Sequence, residues 1–76
     1  MYTIENNIAL YRTSKSYSQQ ILANKARITR PYLSNIENGK KKPSCDVALR
    51  IAKALEVSVE ELFFNKAVHY SEQSAE

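Results

Sequence analysis

The chain has 76 residues, a net charge of +3, 43% hydrophobic residues and 25% charged residues. A chain of this length buries only about 60% of the surface that its unfolded form exposes, so we expect one domain with a small core. The composition argues against disorder and collagen-like repeats, and no apolar run approaches the length of a membrane span.

The positive charge is concentrated in the first part of the chain. Residues 1–42 contain eight Lys or Arg and two Glu, whereas residues 43–76 contain three Lys or Arg and six acidic residues. This distribution favours a polyanionic partner for the first part, although an ordinary basic surface would give a similar one. The first residues lack the basic and apolar pattern of a secretory signal, so we expect a cytoplasmic protein.

The first predicted helix covers residues 3–15, in which Ile4, Ile8 and Tyr11 recur at helical spacing. These three residues form an apolar stripe that we expect to face the core. Thr3 is the predicted N-cap, because its hydroxyl is suited to accept a hydrogen bond from a first-turn amide and an Asn follows three residues later.

Two short amphipathic helices are predicted next, at residues 19–26 and 30–38, with Ser18 and Thr29 as their N-caps. Ile28, in the turn between them, is expected to be buried. In the second helix Leu33, Ile36 and Glu37 share one face, and the opposite face carries Arg30, Pro31, Ser34, Asn35 and Asn38. Two short helices joined by about three residues, with polar side chains on the exposed face of the second, are typical of a helix-turn-helix that enters the DNA major groove.

Two further helices are predicted after a basic loop. Gly39 ends the preceding helix, three lysines follow, and Pro43 prevents the helix from continuing. Ser44 is the predicted N-cap of a helix over residues 45–55. The predicted apolar face of that helix is Ala48, Leu49, Ile51, Ala52 and Leu55. Ser58 and Glu61 form a capping box that opens a fifth helix. Its inward residues are predicted to be Val59, Leu62 and Phe63.

Catalytic and metal-binding chemistry is not predicted. One Cys, one His and one Gly are too few for a zinc site, a Cys/His catalytic pair or a glycine-rich phosphate loop, so we expect no enzyme and no cofactor. Cys45 is interpreted as a small core residue, with a reactive thiol as the alternative, and His69 as exposed and inert. We expect a domain over residues 1–66 and a flexible polar tail over residues 67–76, with a short strand or an extension of the fifth helix as the alternatives.

Residues 8–63 resemble the phage-repressor helix-turn-helix family, the Cro and lambda-repressor-like or XRE-like proteins. The resemblance rests on short matches that occur in the family's order, with no insertion or deletion between them: Ser18-Gln19, Leu22-Ala23, Ile28-Thr29-Arg30, Tyr32-Leu33-Ser34, Ile36-Glu37, Gly39-Lys40 and Pro43-Ser44. The later run from Ala48 to Phe63 is similar to the two closing helices of that family. No single dipeptide is diagnostic, but the ordered set is specific.

The resemblance implies a compact all-α, five-helix, lambda-repressor-like domain that binds double-stranded DNA and reads the major groove with its third helix. It implies base contacts by Arg30, Pro31, Tyr32, Ser34 and Asn35. It implies backbone contacts by Arg12, Gln19, Asn38 and Lys40, and an Arg12–Glu37 ion pair. Lys41 and Lys42 belong to a lysine run that in most loops is only a solvated surface, but here it directly follows the reading helix and is placed to lie along the sugar-phosphate backbone.

A homodimer on a palindromic operator is also implied, because one such domain covers too few base pairs to be selective. Phe64 and Val68 are candidate dimer contacts, and the alternative for Phe64 is that it completes the monomer core. No membrane partner or small-molecule ligand is evident. The alternative function is a protein interaction module on the same fold, which predicts neutral or acidic residues on the exposed face of the third helix.

The chain departs from its family at three positions where relatives commonly carry Gly, namely Ser16, Arg27 and Glu56. If Arg27 or Glu56 keeps the left-handed backbone conformation, each costs roughly 1 kcal/mol relative to Gly. The alternative is a turn of different shape, which would change the pitch of the third helix against the second.

Overall fold

Five α-helices account for most of residues 6–63, the part of the chain that the computed structural model describes. They are α1 (Ile8–Ser14), α2 (Gln19–Ala26), α3 (Arg30–Glu37), α4 (Cys45–Leu55) and α5 (Val59–Phe63). The prediction of an all-α, five-helix fold is confirmed, and α3 ends one residue before the predicted end. No helix in this range is long and apolar enough to cross a membrane. The predictions for Phe64, Val68, His69 and the tail lie outside the described residues.

Hydroxyl side chains begin α2, α3 and α4 at the predicted positions. The backbone N–H of Ile21 donates to Ser18 Oγ at 3.1 Å, and that of Tyr32 donates to Thr29 Oγ1 at 3.2 Å. Ser44 Oγ accepts from the third residue of α4 in the same way. Each cap satisfies one of the first-turn amides that have no partner inside the helix, so local sequence sets where these helices start.

The predicted capping box of α5 is confirmed. The N–H of Glu61 donates to Ser58 Oγ at 3.0 Å, and the N–H of Ser58 donates to Glu61 Oε1 at 3.0 Å. A helix of five residues has too few internal hydrogen bonds to be stable alone. The box and the buried side chain of Leu62 therefore hold α5 in place.

The first helix begins at Ile8, so the prediction of one helix over residues 3–15 is wrong, and the predictions for Thr3 and Ile4 lie outside the described residues. Asn6 and Asn7 precede the helix. Asn6 Oδ1 accepts a hydrogen bond from the Ile8 N–H at 3.1 Å, and the side-chain amides of both asparagines donate to carbonyls of other helices. Asparagine side chains compete with the helix for backbone hydrogen bonds, which explains why the helix starts after them.

All five helices contribute to one core, which comprises Ile8, Leu22, Ala23, Ala26, Leu33, Ile36, Val47, Ile51, Ala52, Leu55 and Leu62. Leu33 and Ile36 of α3 are fully buried. The small side chains of Ala23 and Ala26 let α3 pack closely against α2. Ile28 packs at the edge of the core and is only half-buried, so full burial of this residue was not a correct prediction.

The buried face of α4 differs from the prediction at two residues near its N-terminus. Val47 is buried, whereas Leu49 is 56% exposed. Cys45 is also exposed, so its interpretation as a core residue is wrong. Two residues correspond to about 200° of rotation in an α-helix, so Cys45 and Leu49, each two residues from Val47, lie on the opposite face.

Ser16, Arg27 and Glu56 adopt the left-handed conformation just after α1, α2 and α4, with φ of 62°, 60° and 61°. After each of them, the next backbone N–H bonds back to a carbonyl five residues earlier, as from Ile28 to Ala23 at 3.0 Å. This is the hydrogen bond of the Schellman motif. All three turns therefore keep the left-handed geometry that suits glycine. The alternative of a turn with a different shape does not occur.

Replacing Arg27 by Gly is expected to stabilise the protein by roughly 0.5–1 kcal/mol. The gain from removing Cβ strain at a left-handed residue exceeds the extra entropy of Gly in the unfolded chain. Thermal unfolding measures the change. Arg27→Ala is the matched control, because it removes the same charge and keeps the Cβ; equal melting temperatures for the two variants would contradict the strain argument.

Candidate nucleic-acid interface

Helix α3 presents a mainly polar surface because its two aliphatic side chains, Leu33 and Ile36, are buried in the core. Arg30 and Pro31, at its start, are exposed, and Asn38, just after its end, is exposed as well. Ser34 and Asn35 are half-exposed between them. Apart from the Pro31 ring, the result is a row of hydrogen-bonding side chains along one side of a short helix.

The side chains in this row match the groups on base edges in the major groove. A guanidinium donates two hydrogen bonds to O6 and N7 of guanine, a carboxamide pairs with N6 and N7 of adenine, and a hydroxyl serves either. Arg30, Asn35 and Ser34 supply these three groups in turn. Tyr32 is different, because its ring is half-buried and packs against the core, so only part of it faces outward.

Glu37, the last residue of α3, joins three helices. Its Oε2 lies 2.7 Å from Arg12 Nε, and its Oε1 accepts from Arg12 Nη2 at 3.2 Å. Gln19 Nε2, at the start of α2, donates to the same Oε1 at 3.0 Å. The structure thus brings together Arg12 and Gln19, two residues expected at the DNA backbone, with the carboxylate at the end of α3.

This hydrogen-bonded group is largely withdrawn from water. The Arg12 side chain is 15% exposed and that of Glu37 is 5% exposed. Arg12 Nη1 also donates to the carbonyl of Tyr17 at 2.9 Å. A guanidinium that donates from three N–H groups to the turn before α2 and the end of α3 has little freedom, so the network orients α3 against α1 and α2.

A basic loop follows α3. Gly39 adopts φ of 76°, and the N–H of Lys40 donates to the carbonyl of Asn35 at 2.8 Å, which ties the start of the loop to α3. Lys40, Lys41 and Lys42 are exposed. Three ammonium groups therefore stand beside the end of the polar row, where they add positive charge to the same region of the surface.

A second cluster of basic side chains lines an open cleft of about 460 Å³ at the C-terminal ends of α2 and α4. The cluster comprises Lys25, Arg27, Arg50 and Lys53, and Glu56 lines the same cleft. The Arg50 Nε donates to the Ala26 carbonyl at 2.7 Å. Helix C-termini carry a partial negative charge that nearby cations offset, so this group has a structural explanation.

Asn6 and Asn7 make long-range hydrogen bonds that sequence reasoning missed. Each side chain donates to a carbonyl in the last turn of a distant helix, α3 for Asn6 and α5 for Asn7. Two adjacent asparagines directly before a helix were the available signal, since such residues favour caps and turns over helix interiors. Their partners, 30 and 54 residues further along the chain, could be identified only from the fold.

Residues 8–62 match the sequence model of the helix-turn-helix family. The chain therefore belongs to this family, and specifically to its lambda-repressor-like or XRE-like members. It is 42% identical over 57 residues to an uncharacterized HTH-type transcriptional regulator of Mycobacterium tuberculosis, in an alignment that covers 75% of this chain and 41% of the relative. The chain thus spans less than half the length of that relative.

Solved structures of two regulators are similar to this chain. The restriction-modification controller protein C.AhdI from Aeromonas hydrophila superposes with a TM-score of 0.72 at 33% identity, over 75% of this chain and 86% of that one. SinR from Bacillus subtilis, a master regulator for biofilm formation, was solved in complex with DNA. It superposes with a TM-score of 0.67 at 38% identity, over 71% of this chain and 87% of that one.

Proposed function

We propose that this protein is a sequence-specific, double-stranded DNA-binding transcriptional regulator that reads the major groove with α3. The observation that carries the proposal is the exposed polar row on α3, which the Arg12–Glu37–Gln19 network holds against the rest of the domain. The similarity to SinR, which was solved in complex with DNA, supports this function.

In this proposal the base-reading residues are Arg30, Pro31, Tyr32, Ser34 and Asn35. Arg30, the first residue of α3, contacts guanine, and Asn35 contacts adenine. Pro31 and the outer edge of Tyr32 contact thymine methyl groups. Asn38 and the three lysines face the sugar-phosphate backbone. Arg12 and Gln19 contact the sugar-phosphate backbone of the DNA and keep their hydrogen bonds to Glu37.

A homodimer that acts as a repressor or autoregulator is the assembly that suits this function. Two copies on a palindromic operator place two α3 helices in successive major grooves, about 34–36 Å apart. Phe64 and Val68 remain candidate contacts between the copies. The similarity to C.AhdI, a restriction-modification controller protein, supports a regulatory role of this kind.

Selection of bound sequences from a random duplex library tests the proposal, followed by the salt dependence of affinity for the winning sequence. A two-fold related motif with half-sites about one helical turn apart is the expected result. Binding without preference, or no enrichment, would instead favour an interaction module on the same fold. That alternative is disfavoured by Arg30, Asn35 and the lysines, which give the exposed surface a basic and amide character.

Arg30→Ala is expected to relax preference at one base position and to cost about 1–3 kcal/mol on the selected operator. Lys41→Ala is the contrasting variant, because a phosphate contact weakens binding to all sequences alike and lowers the salt slope by about one unit. Titrations of both variants against operator and random DNA separate the two roles. Equal losses on the two DNAs for Arg30→Ala would rule out base reading by this residue.

A further inference from the structure

Two adjacent asparagines connect the ends of α3 and α5. Asn6 Nδ2 donates to the carbonyl of Ile36, in the last turn of α3, at 2.9 Å. Asn7 donates from Nδ2 to the carbonyl of Glu61 at 2.9 Å and from its backbone N–H to that of Leu62 at 2.8 Å, both in α5. We call Asn6 and Asn7 together the asparagine bridge.

The acceptors of the asparagine bridge are helix-terminal carbonyls. The last four carbonyls of an α-helix have no partner inside the helix, and they carry the partial negative charge of the helix C-terminus. The Ile36 carbonyl also accepts from the Gly39 N–H at 3.0 Å, at the point where the basic loop begins. The end of α3 is therefore held at two successive residues. Asn6 bonds to Ile36, and Arg12 of α1 bonds to Glu37.

The position of α5 depends on the same bridge. This helix has five residues, too few to keep its place without tertiary contacts. The Asn7 side chain and backbone N–H each donate to a carbonyl of α5, those of Glu61 and Leu62. Because Asn6 and Asn7 are consecutive residues, a shift of α5 displaces the backbone that carries the donor to α3.

We propose that Asn6 and Asn7 are positioning residues that couple α5 to α3, so that the two helices keep one relative orientation on DNA. This inference rests on the proposed function. A dimeric reader requires its two α3 helices at a set separation, and the chain continues from α5 into the candidate dimer contacts. The bridge transmits the position of those contacts to the reading helix.

The test compares Asn6→Ser and Asn7→Ser with Thr13→Ala. Serine at position 6 keeps an acceptor for the Ile8 N–H but is too short to reach Ile36, and neither substitution changes the charge. Thr13 is the control, because its exposed hydroxyl donates only to carbonyls of its own helix, Ala9 and Leu10, at 2.9 and 3.2 Å. Should Asn6→Ser fail to fold, Asn6→Asp replaces it, since Asp retains the acceptor and the side-chain length.

Two quantities are measured on the folded variants: hydrogen exchange of the Gly39 amide, and affinity for the selected operator and for random DNA. Both serine variants are expected to speed Gly39 exchange and to weaken operator binding about tenfold, with random-DNA affinity and salt slope nearly unchanged. Thr13→Ala is expected to change neither. For Asn6→Asp, whose added charge weakens all DNA binding, the ratio of operator to random affinity is the deciding value.

The decisive variant is Asn7→Ser, which removes the side-chain bond to the Glu61 carbonyl of α5 and leaves the Asn6 donor to α3 in place. If it speeds exchange only within α5 and leaves Gly39 exchange and operator preference unchanged, the coupling is overturned. Equal losses on operator and random DNA overturn it as well. A failure of the proposed function looks different: the unsubstituted protein then shows no operator preference, while the Gly39 exchange rates still report whether α5 and α3 are coupled.

Discussion

Replacing Glu37 by Ala is expected to lower the free energy of unfolding by about 3 kcal/mol, because removal of one partner leaves a poorly solvated charge on the other. Arg12 would keep its bond to the Tyr17 carbonyl but lose both bonds to the carboxylate. Gln19 would lose its acceptor as well. The 15% exposure of the Arg12 side chain gives water some access to the guanidinium, which places the loss at the lower end of the range for buried pairs.

Thermal unfolding measures this loss, which corresponds to a fall in melting temperature of roughly 10–20 °C for a domain of this size. Glu60→Ala is the matched control, because Glu60 is an exposed acid in the first turn of α5 and should cost only a few tenths of a kcal/mol. The double variant with Arg12→Ala should lose less than the sum of the two single variants. An unchanged melting temperature for Glu37→Ala would show that the ion pair does not stabilise the fold.

Leu33→Ala is expected to have an effect of similar size, about 2–5 kcal/mol, because it leaves a cavity where a fully buried side chain joins α3 to the core. Small domains have total stabilities of only about 5–15 kcal/mol. A loss in this range therefore removes a large share of the total stability of the domain. The polar row on α3 would lose its support at the same time.

Leu49→Ala provides a control with the same chemical change. Leu49 is 56% exposed on the outer face of α4, so its truncation should change stability by no more than about 0.5 kcal/mol. Urea unfolding measures both variants, with the midpoint shifting and the slope unchanged if only stability is altered. Similar losses for Leu33→Ala and Leu49→Ala would contradict the burial of these two residues described here.

Both large effects follow from the shortness of α3. A helix of eight residues is not stable alone in water, so its position depends on the packing of Leu33 and Ile36 and on the bonds made by Glu37. Apart from Tyr32, whose ring packs against the core, the residues proposed to touch bases contribute little to that packing. Stability and base reading therefore reside on opposite faces of α3, which allows them to be tested with separate variants.

The features that local chemistry decides were predictable from the sequence. The starts of α2, α3 and α4 are where Ser18, Thr29 and Ser44 predicted them, because a cap bonds to an amide only three residues away. The capping box of α5 is equally local. The burial of Leu33 and Ile36 followed from helical spacing, which also placed the polar face of α3.

Other features depend on where distant parts of the chain meet, and only the tertiary structure decided them. Spacing did not show that Val47 rather than Leu49 faces the core, since both are apolar and the choice depends on the direction in which α4 packs. The partners of Asn6 and Asn7, which are carbonyls far along the chain, could not be identified from the sequence. The bond from Gln19 to Glu37 also required the fold. The sequence by itself determined the helices and the polar face of α3, through interactions within a turn or two, and tertiary packing decided which side chains hold that face in position.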